Sequence, residues 1–304
     1  MIKNKVKEQT ALQKKEKSER ELALAILLEV EKGEKSHLVL RSVLEKYQYL
    51  DKQERAFLTR LTEGTIERTL ELDYIINQYS KTKVQKMKPV IRNILRMAVY
   101  QIKYMDNVPD SAACNEAVKL AGKKGFGTLK GFVNGVLRSI VRSQEQISYP
   151  DETCPENYLS VKYSMPQWIV AMWFEDYGRE KTEEILKSFY LSRPTTIRVN
   201  GNQITKEELI KKLKSEHVNV EEHPFLDSAL LISDYDYLGA LDSFHDGDFQ
   251  IQDAASIQVA ESADIKPGDY IIDVCAAPGG KALHAAQLLN GTGHVEARDL
   301  TEYK

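Results

Sequence analysis

Residues 20 to about 142 carry an apolar pattern of helical period almost without interruption. In RELALAILLEVE the spacing sets Leu22, Ala25, Ile26 and Val30 on one side of a helix. Asp51 stands three residues before Glu54, as in a capping box, and an apolar stripe of Phe57, Leu58 and Leu61 follows. Pro89 falls in the first turn of a helix predicted for VIRNILRMAVYQIKYM, with Ile91, Ile94, Leu95, Ala98 and Ile102 as its stripe. Val108, Pro109, Asp110 and Ser111 end that helix and start SAACNEAVKLAGK. Gly125 and Gly127 interrupt again before LKGFVNGVLRSIVRS. The pattern predicts a helical domain.

The polar, proline-containing stretch SQEQISYPDETCPENY reads as a linker. Beyond it the period changes. MPQWIVAMWFEDYG and REKTEEILKSFY read as helices, TTIRVN as a strand, TKEELIKKLKSE as a helix, and VNVEEHP and SALLIS as short strands. Such alternation predicts a small α/β, ferredoxin-like domain over about 150–250. From Asp269 the order is strand (YIIDVCA), glycine turn (PGG), helix (KALHAAQLL), then glycine turn and strand (GHVEARD). This is the first βαβ of a Rossmann-like, doubly wound sheet. One βαβ unit cannot cover both faces of a sheet, so the stretch 251–304 is expected to be an incomplete domain.

Composition narrows the class. With 42% hydrophobic and 29% charged residues the chain reads as a globular protein. No run approaches the roughly eighteen apolar residues of a membrane helix, so no membrane is expected as a partner. The N-terminus is too charged for a signal peptide. Cys114, Cys154 and Cys275 are scattered and odd in number, which fits a reducing cytoplasm and neither a disulfide scaffold nor a zinc site. Net charge is −3, but residues 1–147 hold 28 Lys and Arg against 18 Asp and Glu, and the remainder 14 against 27. A basic half suits a polyanion partner or a lysine-rich helical surface, and composition does not separate the two.

The sharpest chemical signal is Asp273–Lys281, DVCAAPGGK, on a strand-to-helix turn. Small residues there admit a ligand close to the backbone, whose amides enter a helix. Asp299 closes the next strand, where a carboxylate can accept from two ribose hydroxyls. A phosphate-binding P-loop would need Gly at 275 and Ser or Thr at 282, where the chain has Cys275 and Ala282. The glycine spacing GxGxxG is absent too. A plain glycine turn is the bland alternative.

DVCAAPGGK with the following VEARD resembles motifs I and II of the RNA 5-methylcytosine methyltransferases, the RsmB (Sun/Fmu) and NSUN group. FQIQDAAS, IRVN and YSMPQWIV resemble that family's preceding segments. ERAFLTRLTEGTIER, ILRMAVYQIKYMDNVPDSAACNEAV and GFVNGVLR resemble the NusB-like RNA-binding domain at the front of the bacterial RsmB type. The resemblance implies a basic extension over 1–19, a NusB-like domain over 20–145, an α/β connector over 150–250 and a methyltransferase domain from 251. It further implies S-adenosyl-L-methionine as cofactor and 16S ribosomal RNA as partner, with methyl transfer to carbon 5 of a cytidine that leaves its stack. The backbone of Cys275, Ala276, Ala277, Pro278, Gly279, Gly280 and Lys281 would hold the methionine end and Asp299 the ribose.

The family's two catalytic cysteines lie well beyond motif II, so no catalytic residue is assigned within these 304 positions, and the chain as it stands is expected to be inactive. Cys275, Cys114 and Cys154 read as structural. The alternative is a non-enzymatic NusB-like protein of RNA binding or ribosome assembly. A small-molecule methyltransferase fits less well behind so long a helical front. Lys3, Lys5, Lys7, Lys14, Lys15, Lys17 and Arg20 suit RNA phosphates or a solvated charge run. Arg55, Arg60 and Arg68 form an RNA face only if they share one side of their helix. Trp168 and Trp173 read as domain-packing anchors, and no histidine has metal-ligand spacing.

Overall fold

The computed structural model describes residues 17–191, 193–235 and 237–300. It divides into two compact units, Met1–Leu191 and Ser192–Lys304.

The first unit is helical: α1 Glu19–Glu31, α2 Ser36–Lys46, α3 Lys52–Glu67, α4 Thr69–Tyr79, α5 Pro89–Tyr104, α6 Asp110–Lys123 and α7 Lys130–Arg142, followed by α8 Pro155–Lys162 and α9 Gln167–Ser188. Local chemistry starts these helices. Ser18 with Glu21 and Asp51 with Glu54 close reciprocal capping boxes, and Pro89 occupies the first turn of α5. Helix α5 is the centre, touching α1, α3, α4, α6 and α7. Ile91, Ile94, Leu95 and Ala98 are buried there with Leu22, Ile26, Leu58 and Leu61, while Ile102 is half-buried. Helices α3 and α5 approach so closely that a Cβ on Gly64 would lie 2.0 Å from the Tyr100 ring.

The stretch expected as a linker is anchored to this bundle. Gln78 Nε2 donates to Ser148 O (3.0 Å), and the hydroxyls of Tyr149 and Tyr104 donate to the carboxylate of Glu71. Lys103 Nζ (2.8 Å) and Arg68 Nη1 (3.4 Å) complete the ring around Glu71, which is 1% exposed. Helix α9 is two helices joined at Gly178, whose φ of 75° and ψ of 169° are non-helical.

The second unit begins with β1 Thr195–Val199, α10 Lys206–Ser215, β2 Asn219–Glu222, β3 Ala229–Ser233, the single turn α11 Asp242–His245 and β4 Phe249–Ile251. The strands form one antiparallel sheet in the order β2-β3-β1-β4, and Leu209 and Leu213 of α10 join Ile197, Ile232 and Phe249 in its core. Then come α12 Ala254–Ser262, β5 Tyr270–Asp273, α13 Gly280–Leu288 and β6 His294–Ala297. Strands β5 and β6 pair in parallel. Ile272, Val274, Leu283 and Leu288 on this βαβ unit are exposed. Among the described residues no helix is long and apolar enough to cross a membrane.

Candidate cofactor site

The parallel register sets Asp273 opposite Ala297, so the segments that follow both strands run side by side. Ala276 N donates to Arg298 O at 2.9 Å, and Ala277 N donates to Asp299 Oδ2 at 2.9 Å. The other carboxylate oxygen of Asp299 accepts from Leu300 N at 2.8 Å. The acid closing the second strand therefore grips the loop that follows the first. Asp273 Oδ1 accepts from Cys275 N (3.2 Å), while its Oδ2 is buried with no partner. Gly279 takes φ +106°, a conformation open chiefly to glycine, and turns the chain into α13. The first-turn amides of that helix have no intrahelical acceptor and no side-chain cap.

Two of these features would suit the amino-acid end of S-adenosylmethionine. Asp273 Oδ2 is an acceptor in want of a donor, such as an ammonium. The α13 amides are donors in want of an anion, and Asp299 stands beside them. Of the loop residues, Cys275, Pro278 and Lys281 are exposed, and Ala276, Ala277, Gly279 and Gly280 are half-buried. All seven come together in one turn, with Asp299 against it.

A buried polar cluster that the sequence does not advertise lies behind the loop. Arg198 on β1 is 2% exposed and donates from Nε to Gln252 Oε1 (2.7 Å) and from Nη1 to Gln287 Oε1. Gln287 Nε2 in turn donates to Val199 O at 3.2 Å. Burial lowers the Arg198 pKa, and no carboxylate pairs with it among the described residues. His284 of α13 is also buried and its Nδ1 is unpartnered; burial, with the nearby Arg198 charge, pushes its pKa down to about 4. Among the described residues no group of three or more His, Cys, Asp or Glu is placed to hold a metal ion.

Several basic residues of the first unit make contacts within the fold. Arg55 Nη1 donates to Leu44 O (3.2 Å) and Arg60 Nη2 to Tyr104 O (2.7 Å). Arg68 bonds to Glu71 and lies 3.5 Å from the Tyr190 ring centroid. Positions 55, 60 and 68 fall on no single side of a helix turning about 100° per residue, and all three tie the fold together. Arg20 likewise donates to Gln101 Oε1 (2.8 Å) and covers the Phe57 ring. Lys3, Lys5, Lys7, Lys14 and Lys15 lie outside the described residues. The loop between α4 and α5, by contrast, presents Lys81, Lys83, Lys86 and Lys88, all exposed and none in an ion pair among the described residues. A count of lysines per segment would have found it. Trp173 stacks on Phe189, whereas Trp168 is 69% exposed. Cys114 is buried, and Cys154 is exposed like Cys275.

Parts of the chain match known families. Residues 17–142 match the NusB family, and residues 165–235 match the RsmF/B-like methyltransferase ferredoxin-like domain. A probable ribosomal RNA small subunit methyltransferase B of Bacillus subtilis is 35% identical over 291 residues, which are 95% of this chain and 64% of that protein. A protein of the same description from Synechocystis is 30% identical over 93% of this chain and 63% of its own length. The chain thus spans a little under two thirds of these curated relatives. The crystal structure of PH0851 superposes with a TM-score of 0.72 at 23% identity, covering 92% of this chain and 62% of that one, a likeness of fold.

Proposed function

We propose that this chain, a member of the RsmB-type family by its NusB domain, its RsmF/B-like ferredoxin-like domain and its similarity to small subunit methyltransferases, acts in S-adenosylmethionine-dependent methylation of 16S ribosomal RNA at carbon 5 of a cytidine. The observation that supports the reading is the bond from Ala277 N to Asp299 Oδ2, which brings the loop and the acid together. The backbone of residues 275–281 would hold the methionine end and Asp299 the ribose. When bound, the cofactor supplies an electrophilic methyl group. The helical unit would hold the RNA, with the lysine loop at 81–88 drawing phosphates by counterion release. A ribosomal substrate implies a cytoplasmic protein.

Titration calorimetry tests the cofactor half of the reading. Saturable binding of S-adenosylmethionine at one site is expected, weakened by Asp299→Ala about tenfold or more, the loss typical of a hydrogen bond to a charged group. Tight RNA binding with no cofactor heat would instead favour a non-enzymatic RNA-binding protein.

A further inference from the structure

The Arg198 cluster has a direction. A guanidinium only donates, so it turns the carbonyl oxygen of Gln252 toward itself and the Gln252 amide nitrogen away. That nitrogen is buried without a partner in a residue that is 5% exposed. It faces the start of α13, for a Cβ built on Gly280 would lie 4.0 Å from it. A buried amide with unused hydrogens is costly, and so is a buried cation without a counter-ion. Around Arg198 stand Gln252, Gln287 and a neutral His284, so the cluster carries a net positive charge that no carboxylate among the described residues pairs with. Both deficits are of one kind: a buried donor and a buried cation, beside helix amides that also favour an anion.

We infer that Gln252, aimed by Arg198, receives the carboxylate of the methyl donor's amino-acid end. The inference rests on the reading that the loop binds S-adenosylmethionine. It makes Gln252 a binding residue and Arg198 a positioning residue. Asp273 Oδ2, an orphan acceptor at the end of β5 where the loop begins, would complement the ammonium of the same group. The site then reads an α-amino acid by one unsatisfied donor and one unsatisfied acceptor.

The test compares two ligands by calorimetry on the full chain: S-adenosylmethionine, and 5′-methylthioadenosine, which keeps the nucleoside and sulfur but lacks the amino-acid end. Gln252→Leu should weaken S-adenosylmethionine about tenfold or more and leave methylthioadenosine within about twofold. Gln252→Glu keeps the shape and gives Arg198 an ion pair, so its melting temperature should not fall; its new charge should repel the donor's carboxylate and weaken S-adenosylmethionine further than leucine does. Asp299→Ala should weaken both ligands, because both carry the ribose. Equal losses for the two ligands in Gln252→Leu, or wild-type affinity in Gln252→Glu, would overturn the inference. A wild-type chain that binds neither ligand would instead overturn the cofactor reading, and this inference with it.

Discussion

Acidification from pH 7.5 to 5 should loosen helix α13 through His284. In the unfolded chain an imidazole takes its proton near pH 6.5, whereas the folded site refuses it until about pH 4, because the ring is buried and lies near the Arg198 charge. A depressed folded pKa means that the stabilisation is whole above pH 6.5 and is lost progressively as pH falls toward 4. At about 1.36 kcal/mol per pH unit, the loss is about 2 kcal/mol at pH 5 and about 3 kcal/mol once the folded site is protonated. Amide exchange in α13 and β5, corrected for the intrinsic pH dependence of exchange, reads this as a rise of about thirtyfold in the opening equilibrium at pH 5. His284→Gln removes the titrating group and should flatten that rise, whatever it does to stability at pH 7.5. An unchanged acid slope in His284→Gln, or an NMR titration of His284 with its inflection near pH 6.5, would refute the reasoning.

Three further outcomes are expected. Glu71→Ala strands Arg68 and Lys103 and leaves the hydroxyls of Tyr104 and Tyr149 without their acceptor. It should cost about 3–5 kcal/mol in chemical denaturation and expose residues 143–154 to proteolysis, so a wild-type profile would contradict the anchoring described. Replacing Lys81, Lys83, Lys86 and Lys88 together by Ala should weaken RNA binding and lower the slope of log affinity against log salt by up to about 3; an unchanged slope would place the phosphates elsewhere. Gly279→Ala forces a side chain onto φ +106° and should destabilise the loop by more than about 1 kcal/mol, with a matching loss of cofactor affinity; a neutral effect in both would contradict the turn's role.

What sequence made legible was whatever is specified over a few residues. Asp51 and Glu54, Pro89, the α5 stripe and the strand–glycine–helix run at 270–288 all report local periodicity or capping, and the fold carries each of them. The remainder depends on partners far along the chain. The Ser143–Tyr158 stretch is polar and proline-bearing, yet Tyr149 reaches a carboxylate 78 residues away. Arg198 lies in a short strand where a charged residue reads as solvent-facing, and its burial becomes intelligible only with Gln252 and Gln287 beside it. Arg55, Arg60 and Arg68 offer a polyanion face in sequence only on the condition of a shared helix side, because charge is visible there whereas the carbonyls and rings that occupy them are not.

The central claim, that one site formed by the 275–281 loop and Asp299 holds the methyl donor, is met most directly by photo-crosslinking. The chain is irradiated with S-adenosylmethionine carrying a tritiated methyl group, and the labelled peptide is sequenced. Label is expected on the peptide spanning residues 275–281, suppressed by excess S-adenosylhomocysteine but not by ATP, and lost in Asp299→Ala. Label confined to the helical unit, or label in this loop displaced equally well by ATP, would contradict it.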